Sequence, residues 1–276
     1  MRDSSGELSV NETPGGSGRG PTQSDRSELQ LSVPRAVRGL VITSLVLAGV
    51  YLLTQESAIR FFPLPEWLTT IFRFFDVDEE LSIPTWFSQM LLLLVAVFSV
   101  IAAKLQGDVN PMHSRAWGFL AIIFLFASID EGVGFHEMLV GPLWVLLGID
   151  DARFTLVWIF PALLVVVAVV LLLSRFLLTL DGPVRRLIIG GGVVFLTGAV
   201  AIEVLAVAMR LMGEELRLLW RRIGFIGTGL EELLEMLGAI IILWGVATQI
   251  ARLSGSVRLN VARDVARSTT IDEVEH

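Results

Sequence analysis

The chain has 276 residues, of which 54% are hydrophobic, and its mean hydropathy is +0.71. A soluble domain does not reach this value, and several apolar runs are long enough to cross a bilayer, which takes about 20 residues. The net charge is −7, but the charge lies in loops and tails and says little about nucleic acid. No basic patch with interleaved aromatic residues appears, so we expect no nucleic-acid partner. Because cysteine is absent, disulfides, zinc–thiolate sites, iron–sulfur clusters and thiol nucleophiles are also excluded.

Residues 1–34 form a polar N-terminal segment rich in Ser, Gly, Glu, Asn and Pro. Such a segment cannot bury enough apolar surface to fold, so we expect a disordered tail. It does not resemble a signal peptide, because no apolar core follows a basic start within the first 30 residues.

Six apolar segments follow and predict an all-α fold, a polytopic bundle of six transmembrane helices. The domain covers residues 35–252, and residues 253–276 form a C-terminal tail. Gly132 and Gly134 can unwind the third segment, and Pro161 can kink the fourth. The predicted segments are 37–54, 85–104, 116–138, 154–178, 186–210 and 229–251.

Two shorter segments lie between the predicted spans. Residues 64–75 carry a heavy aromatic face after a proline, which predicts an interfacial helix. The acidic residues at 76–80 that follow form either a solvated turn or a vestibule that collects cations. Residues 138–148 are apolar but too short to span, so we expect a re-entrant or interfacial half-helix.

The distribution of basic residues predicts the orientation in the cell membrane. Fourteen of the 21 Lys and Arg residues fall in the segments that lie inside when the N-terminus is inside. The positive-inside rule therefore favours both termini in the cytoplasm. The segment 210–222 opposes this orientation, because it holds four Arg residues on the outer side.

The polar stretch 128–137, with the sequence SIDEGVGFHE, stands at the end of the third apolar run. A charged side chain near the bilayer centre costs roughly 2.5–3.5 kcal/mol on insertion scales. Such residues face a bundle interior or a wet cavity and mark functional sites, so we interpret this stretch as part of a buried acidic and histidine site.

Glu131, Glu203 and Glu235 lie on three different spans at one predicted depth. At a rise of 1.5 Å per residue, each is about 22–25 Å from the cytoplasmic end of its span. Small residues on the same helix faces predict close helix packing beside Glu203 and Glu235. These small residues are Gly192, Ala199 and Ala206 on the fifth span, and Gly238, Ala239 and Gly245 on the sixth.

Two structural explanations compete with a functional site. Thr228 and Glu231 have the spacing of a capping box, which would start the sixth helix at Thr228 and occupy Glu231. The other carboxylates could instead form interhelical ion pairs with Arg217, Arg221 or Arg222.

Carboxylates crowded in a low dielectric cannot all stay ionised, so some must take up a proton or share a cation. Oxygen ligands with one imidazole suit a divalent metal, namely Zn, Mn or Fe. A di-iron bundle uses Glu-x-x-His on two helices, whereas this chain has only Glu131-x4-His136, so a single metal ion is the simpler hypothesis. We expect Asp130 and Glu137 either to hydrogen-bond to a metal ligand and orient it or to act as the general base. The candidate metal ligands are Glu131, His136, Glu203, Glu232 and Glu235.

The pattern D-E-x4-H-E at residues 130–137, combined with E-E-x2-E-M at residues 231–236, resembles uncharacterised bacterial multi-pass membrane proteins. The resemblance covers these two short stretches and implies no particular activity.

Three functions remain open from the sequence. The first is a metal-dependent intramembrane hydrolase or oxidase that acts on a lipid-soluble substrate from the bilayer. The second is a proton- or cation-coupled transporter, in which the same carboxylates carry the charge. The third is a structural or partner-binding membrane protein with an internal polar network.

Overall fold

In this computed structural model the described part of the chain is helical and contains no strand, which confirms the predicted fold class. The backbone is described for residues 33–55, 65–77, 79, 81–107, 109–148 and 155–272. Side chains are described in the same ranges except at 69, 137, 155, 156, 203, 210 and 255–272. The predicted disordered tail lies outside these residues, apart from its last two positions.

The helices follow one another with short connections. One turn of 3₁₀-helix, Thr155–Trp158, precedes the helix that begins at Ile159, and a π-helical segment, Thr197–Ile202, follows the helix that ends at Leu196. The α-helices are α1 (Val33–Thr54), α2 (Glu66–Arg73), α3 (Ile83–Gln106), α4 (Pro111–Val133), α5 (Phe135–Met138), α6 (Val140–Leu147), α7 (Ile159–Thr179), α8 (Gly182–Leu196), α9 (Glu203–Leu211) and α10 (Glu214–Asp272).

Six helical stretches among the described residues are long and apolar enough to cross a membrane, as the sequence predicts. Four of them are α1, α3, α4 and α7. The fifth runs through α8, the π-segment and most of α9, over Gly182–Met209, and the sixth is Glu214–Ser254 within α10. The helices α2 and α6 fall inside the ranges predicted for the two shorter segments.

The helices α3 and α4 form an antiparallel pair held by hydrogen bonds at both ends. The Ser128 hydroxyl donates to the Gln89 carbonyl at 2.9 Å, and the Ser114 hydroxyl donates to the Ala103 carbonyl at 2.8 Å. These bonds give a polar hydroxyl on an apolar helix a partner, because lipid offers none. They also fix how far α4 can slide along α3.

Helix α10 is central and packs against α8, α3 and α1. Its contact with α8 is close because glycines face each other: a Cβ on Gly191 would lie 2.8 Å from the Gly238 carbonyl oxygen. A Cβ on Gly238 would in turn lie 2.5 Å from the Phe195 backbone nitrogen. The predicted close contact of small residues is therefore present at Gly238. Its partner on α8 is Gly191, whereas the predicted partner, Gly192, faces open space.

The sixth span differs from the predicted one. Helix α10 begins at Glu214 rather than near residue 229, and its 59 residues make it about 88 Å long at 1.5 Å per residue. Thr228 is therefore inside a continuous helix and caps nothing, so the capping-box interpretation is wrong. The Thr-x-x-Glu spacing also occurs in the middle of helices. There the backbone N–H groups already have helical partners, so no cap is needed.

Two smaller expectations also change. Pro161 lies in the first turn of α7, where its missing N–H would have no helical partner, so it does not kink a span. Arg217 pairs with Glu214 of its own helix at 2.6 Å, while Arg221 and Arg222 are exposed. The predicted ion pairs between these arginines and the buried carboxylates are not seen among the described side chains.

Candidate functional site: an acidic cavity between α4, α9 and α10

A cavity of about 620 Å³ lies where α4 ends, beside the π-segment, α9 and α10. We call it the acidic cavity, because no Lys or Arg is among the described residues that line it. Apolar and aromatic side chains complete the walls, among them Leu92, Trp158 and Trp220. Its ionisable lining residues are Glu79, Asp130, Glu131, His136, Glu231, Glu232 and Glu235.

The cavity unites residues that the sequence places on separate spans. Asp130, Glu131 and His136 come from the end of α4 and from α5, and Glu232 and Glu235 come from α10. The predicted meeting of carboxylates from the third and sixth spans is thus present. The side chains of Glu137 and Glu203 lie outside the described residues. Ala199 and Ala206, which the sequence places on one face with Glu203, do line the cavity.

A glycine break creates the histidine part of the site. Helix α4 ends at Gly134, whose φ of 65° is in the left-handed region and whose N–H donates to the Asp130 carbonyl at 2.8 Å. The chain turns there and brings His136 back over Asp130. Gly132 stays helical, so of the two glycines expected to unwind this segment only Gly134 does so.

Asp130 holds His136 through two hydrogen bonds. One carboxylate oxygen accepts from the His136 backbone N–H at 3.1 Å, and the other lies 2.9 Å from the His136 Nδ1. An ionised carboxylate only accepts, so in this contact Nδ1 carries the proton; in the neutral form of the imidazole the lone pair is then on Nε2. The Trp158 ring packs against the imidazole at 4.8 Å between centroids, which fixes the ring plane.

Glu131 is anchored against α3. The Ser88 hydroxyl hydrogen-bonds to its carboxylate, and Ser88 itself is buried. The Gln89 side chain lies directly against Gly132, where a Cβ would meet its amide nitrogen at 1.4 Å. Glycine at this position leaves room for the Gln89 amide beside α4 at the level of Glu131.

The α10 wall carries Glu231, Glu232 and Glu235, all half-buried. Each takes part in at least one polar interaction. The π-segment lies against this wall, since a Cβ on Gly198 would be 2.6 Å from the Glu231 carbonyl oxygen and 3.0 Å from the Glu235 Cγ.

The turn after α2 closes one side of the cavity with Val77 and Glu79. The Glu79 carbonyl accepts from the Thr85 hydroxyl at 3.0 Å, and its carboxylate pairs with Arg73 at 2.7 Å. The hydrogen bond from Arg73 to the Glu79 carboxylate, together with the charge of that carboxylate, raises the pKa of the Arg73 guanidinium above its usual value. Of the acidic turn, Asp78 and Glu80 lie outside the described residues.

Residues 39–249 match a domain family described as a domain of unknown function, DUF8692. The chain belongs to this family. The match includes all of the described residues that line the acidic cavity. Among curated proteins and solved structures, none matches the chain.

In this member of the DUF8692 family the acidic side chains are spread over the cavity walls. Among the described residues, no group of three His, Asp or Glu side chains converges closely enough to hold a metal ion. A cavity of this size exceeds what a bare ion needs and lies in the range of small-molecule sites, about 300–1,000 Å³.

Several lining residues have no counterpart in the sequence-based prediction. Trp158 falls inside the fourth predicted span, 154–178, and Trp220 lies in a segment predicted to be a loop, so neither position pointed to the site. The sequence indicates Glu79 only as part of an acidic turn. The only signal in the sequence near Trp220 is the pair of glycines at 224 and 227. In the structure the indole ring packs against both, and a Cβ on Gly227 would lie 2.5 Å from it.

Proposed function

We propose that the acidic cavity binds a divalent metal ion, Zn, Mn or Fe, and serves hydrolysis or oxidation of a lipid-soluble substrate. The observation that carries this proposal is the shared lining by Glu131 of α4 and by Glu232 and Glu235 of α10. Carboxylates from different helices, joined by one imidazole, form the ligand type that such ions prefer in helix bundles.

The spread of the carboxylates favours an ion that keeps some of its water. The described lining brings carboxylates from α4 and α10 to one cavity, where like charges repel one another more strongly than they do in water. A cation that enters lowers this repulsion whether it is bound directly or through water. Glu131, His136, Glu203, Glu232 and Glu235 are the proposed ligands, and the remaining volume accommodates a substrate.

The Asp130–His136 pair supports the same assignment. A carboxylate on Nδ1 orients the ring and makes Nε2 more basic, which is the usual arrangement behind a metal-bound histidine. Asp130 is therefore proposed as the positioning residue for His136. Glu137 follows in sequence and is the remaining candidate for the general base.

We also propose the orientation. Six spans place both termini on one side, and the excess of basic residues assigns that side to the cytoplasm of the cell. The acidic cavity then opens toward the outer half of the bilayer. A substrate dissolved in the membrane reaches it without crossing the bulk water phase.

Metal analysis of the purified full chain tests the proposal. We expect roughly stoichiometric metal without added chelator, and we expect Glu235→Gln to remove it while the protein stays folded. The matched control is Glu214→Gln, an exposed carboxylate at the start of the same helix. Absence of metal under several extraction conditions, or equal loss in both variants, would reject it.

A proton- or cation-coupled transporter is the second candidate. The observation in its favour is the hydrogen-bonded Asp130–His136 pair in the cavity wall, which can take up and release a proton. This function predicts pH- or ion-driven flux in proteoliposomes that Asp130→Asn abolishes. No flux with H⁺, Na⁺, K⁺ or Mn²⁺ gradients would count against it. A purely structural polar network predicts that Glu131→Gln changes thermal stability alone.

A further inference from the structure

We infer that Gly198, in the π-helical segment, is the positioning residue for the α10 wall of the acidic cavity. The inference rests on the proposed function, because the position of Glu235 matters to binding only if the cavity holds a cation. Gly198 itself has no side chain to offer a ligand. Its role is to let the fifth span approach α10 at the level of Glu231 and Glu235.

The contacts at Gly198 join it directly to the cavity. A Cβ there would lie 2.6 Å from the Glu231 carbonyl oxygen, 3.0 Å from the Glu235 Cγ and 3.1 Å from the Leu234 Cβ. The Glu231 oxygen is a backbone atom of α10, and the Leu234 Cβ is bonded directly to that backbone. A flexible side-chain end can turn away, but these atoms move only if the helix moves.

The local backbone supports a specialised role. Gly198 is buried and stands at the second position of the π-segment Thr197–Ile202. π-helical turns are rare and occur often at functional sites, because they insert an extra residue and change which side chains face a neighbour. Ala199 of the π-segment and Ala206 of α9 both line the cavity. The π-segment and Gly198 thus shape one wall together.

Gly191 provides a matched control in the same helical span. A Cβ there would lie 2.7 Å from the Ile242 side chain and 2.8 Å from the Gly238 carbonyl oxygen, so the steric conflict with α10 is similar. None of its contacts is a cavity residue. An added methyl group at either position separates the two helices, but only the one at Gly198 displaces the carboxylates.

The experiment is a Mn²⁺ titration of the detergent-solubilised full chain, comparing Gly198→Ala with Gly191→Ala. We expect similar decreases in the thermal unfolding midpoint, because both variants crowd the same interface. We expect the Mn²⁺ affinity to fall about 10–100-fold in Gly198→Ala, as for other changes that misplace ligands. Gly191→Ala should retain the wild-type affinity. Equal affinity losses, or no loss in Gly198→Ala, would overturn the inference.

A second measurement separates the inference from the proposed function. The chain has no native cysteine, so the pair Glu131→Cys and Glu232→Cys can be cross-linked across the cavity without background. We expect Gly198→Ala to change the cross-linking yield and Gly191→Ala to leave it unchanged. If the wild type binds no metal but this difference appears, the proposed function fails and the positioning role stands. If both variants give the wild-type yield, the positioning role fails.

Discussion

The two ends of the helix bundle are closed by different chemistry. At the cavity end, residues from the stretches 130–136 and 228–235 line a space of about 620 Å³ with most of its carboxylates. At the opposite end, Trp117 of α4 is fully buried and meets Phe176 of α7 edge to face at 5.1 Å. The first end has a helix break and a π-segment, whereas α4 and α10 run through the second without interruption.

The contrast between the two ends suggests which substitutions affect stability and which affect the proposed cation binding. Close packing without voids stabilises a helix bundle, and a carboxylate-lined cavity does the reverse because it omits contacts and gathers like charges. Under the proposed function, this lower stability accompanies the binding site, as is common where activity needs a destabilised region. Substitutions at the opposite end should therefore lower stability alone, and substitutions at the cavity end should chiefly lower cation binding.

The largest effect on stability is expected from Trp117→Ala. The substitution leaves a cavity among fully buried side chains, and such changes cost about 3–5 kcal/mol in the free energy of unfolding. Reversible unfolding in mixed detergent measures the change. Protein that remains folded should bind Mn²⁺ with wild-type affinity, and a large affinity loss at constant folded fraction would break the division between the two ends.

The next effect is expected from Asp130→Asn at the cavity end. The amide retains one acceptor oxygen but loses the charge that holds Nδ1 of His136, so we expect an affinity loss of about 10–100-fold for Mn²⁺. Titration calorimetry measures it. The matched control is Ser114→Ala, which removes one hydrogen bond at the opposite end and should cost about 1 kcal/mol of stability without a change in affinity.

The smallest effect is expected from Arg252→Ala. Arg252 pairs with Asp181 at the opposite end, and both side chains are exposed. Exposed pairs contribute about 0.2–1 kcal/mol, and salt screens them. A double-mutant cycle with Asp181→Ala at low and high salt measures this coupling. A coupling that exceeds this range and persists at high salt would show that the pair is structurally important.

Hydropathy predicts the six spans because each must satisfy its backbone inside lipid, and this constraint is local and strong. The depth of Glu131 and Glu235 is predictable for the same reason, since helix rise is constant. Their shared cavity lining agrees with this prediction.

Features that depend on tertiary contacts were not predictable. The segment 214–228 reads as a polar loop because three arginines interrupt its apolar pattern, yet it belongs to α10. The π-segment leaves no compositional mark, and its Gly198 is distinguished from Gly192 only by which helix lies opposite. Trp158 contacts the His136 ring only because the chain turns back after Gly134. This tertiary contact has no local signal in the sequence.

Anomalous X-ray scattering from crystals of the full chain grown with Mn²⁺ tests the central claim most directly. The account predicts one strong anomalous peak inside the acidic cavity, within coordination distance of carboxylate oxygens from both α4 and α10. A cavity without a peak, with Mn²⁺ only at exposed carboxylates such as Glu66 or Glu214, would contradict it.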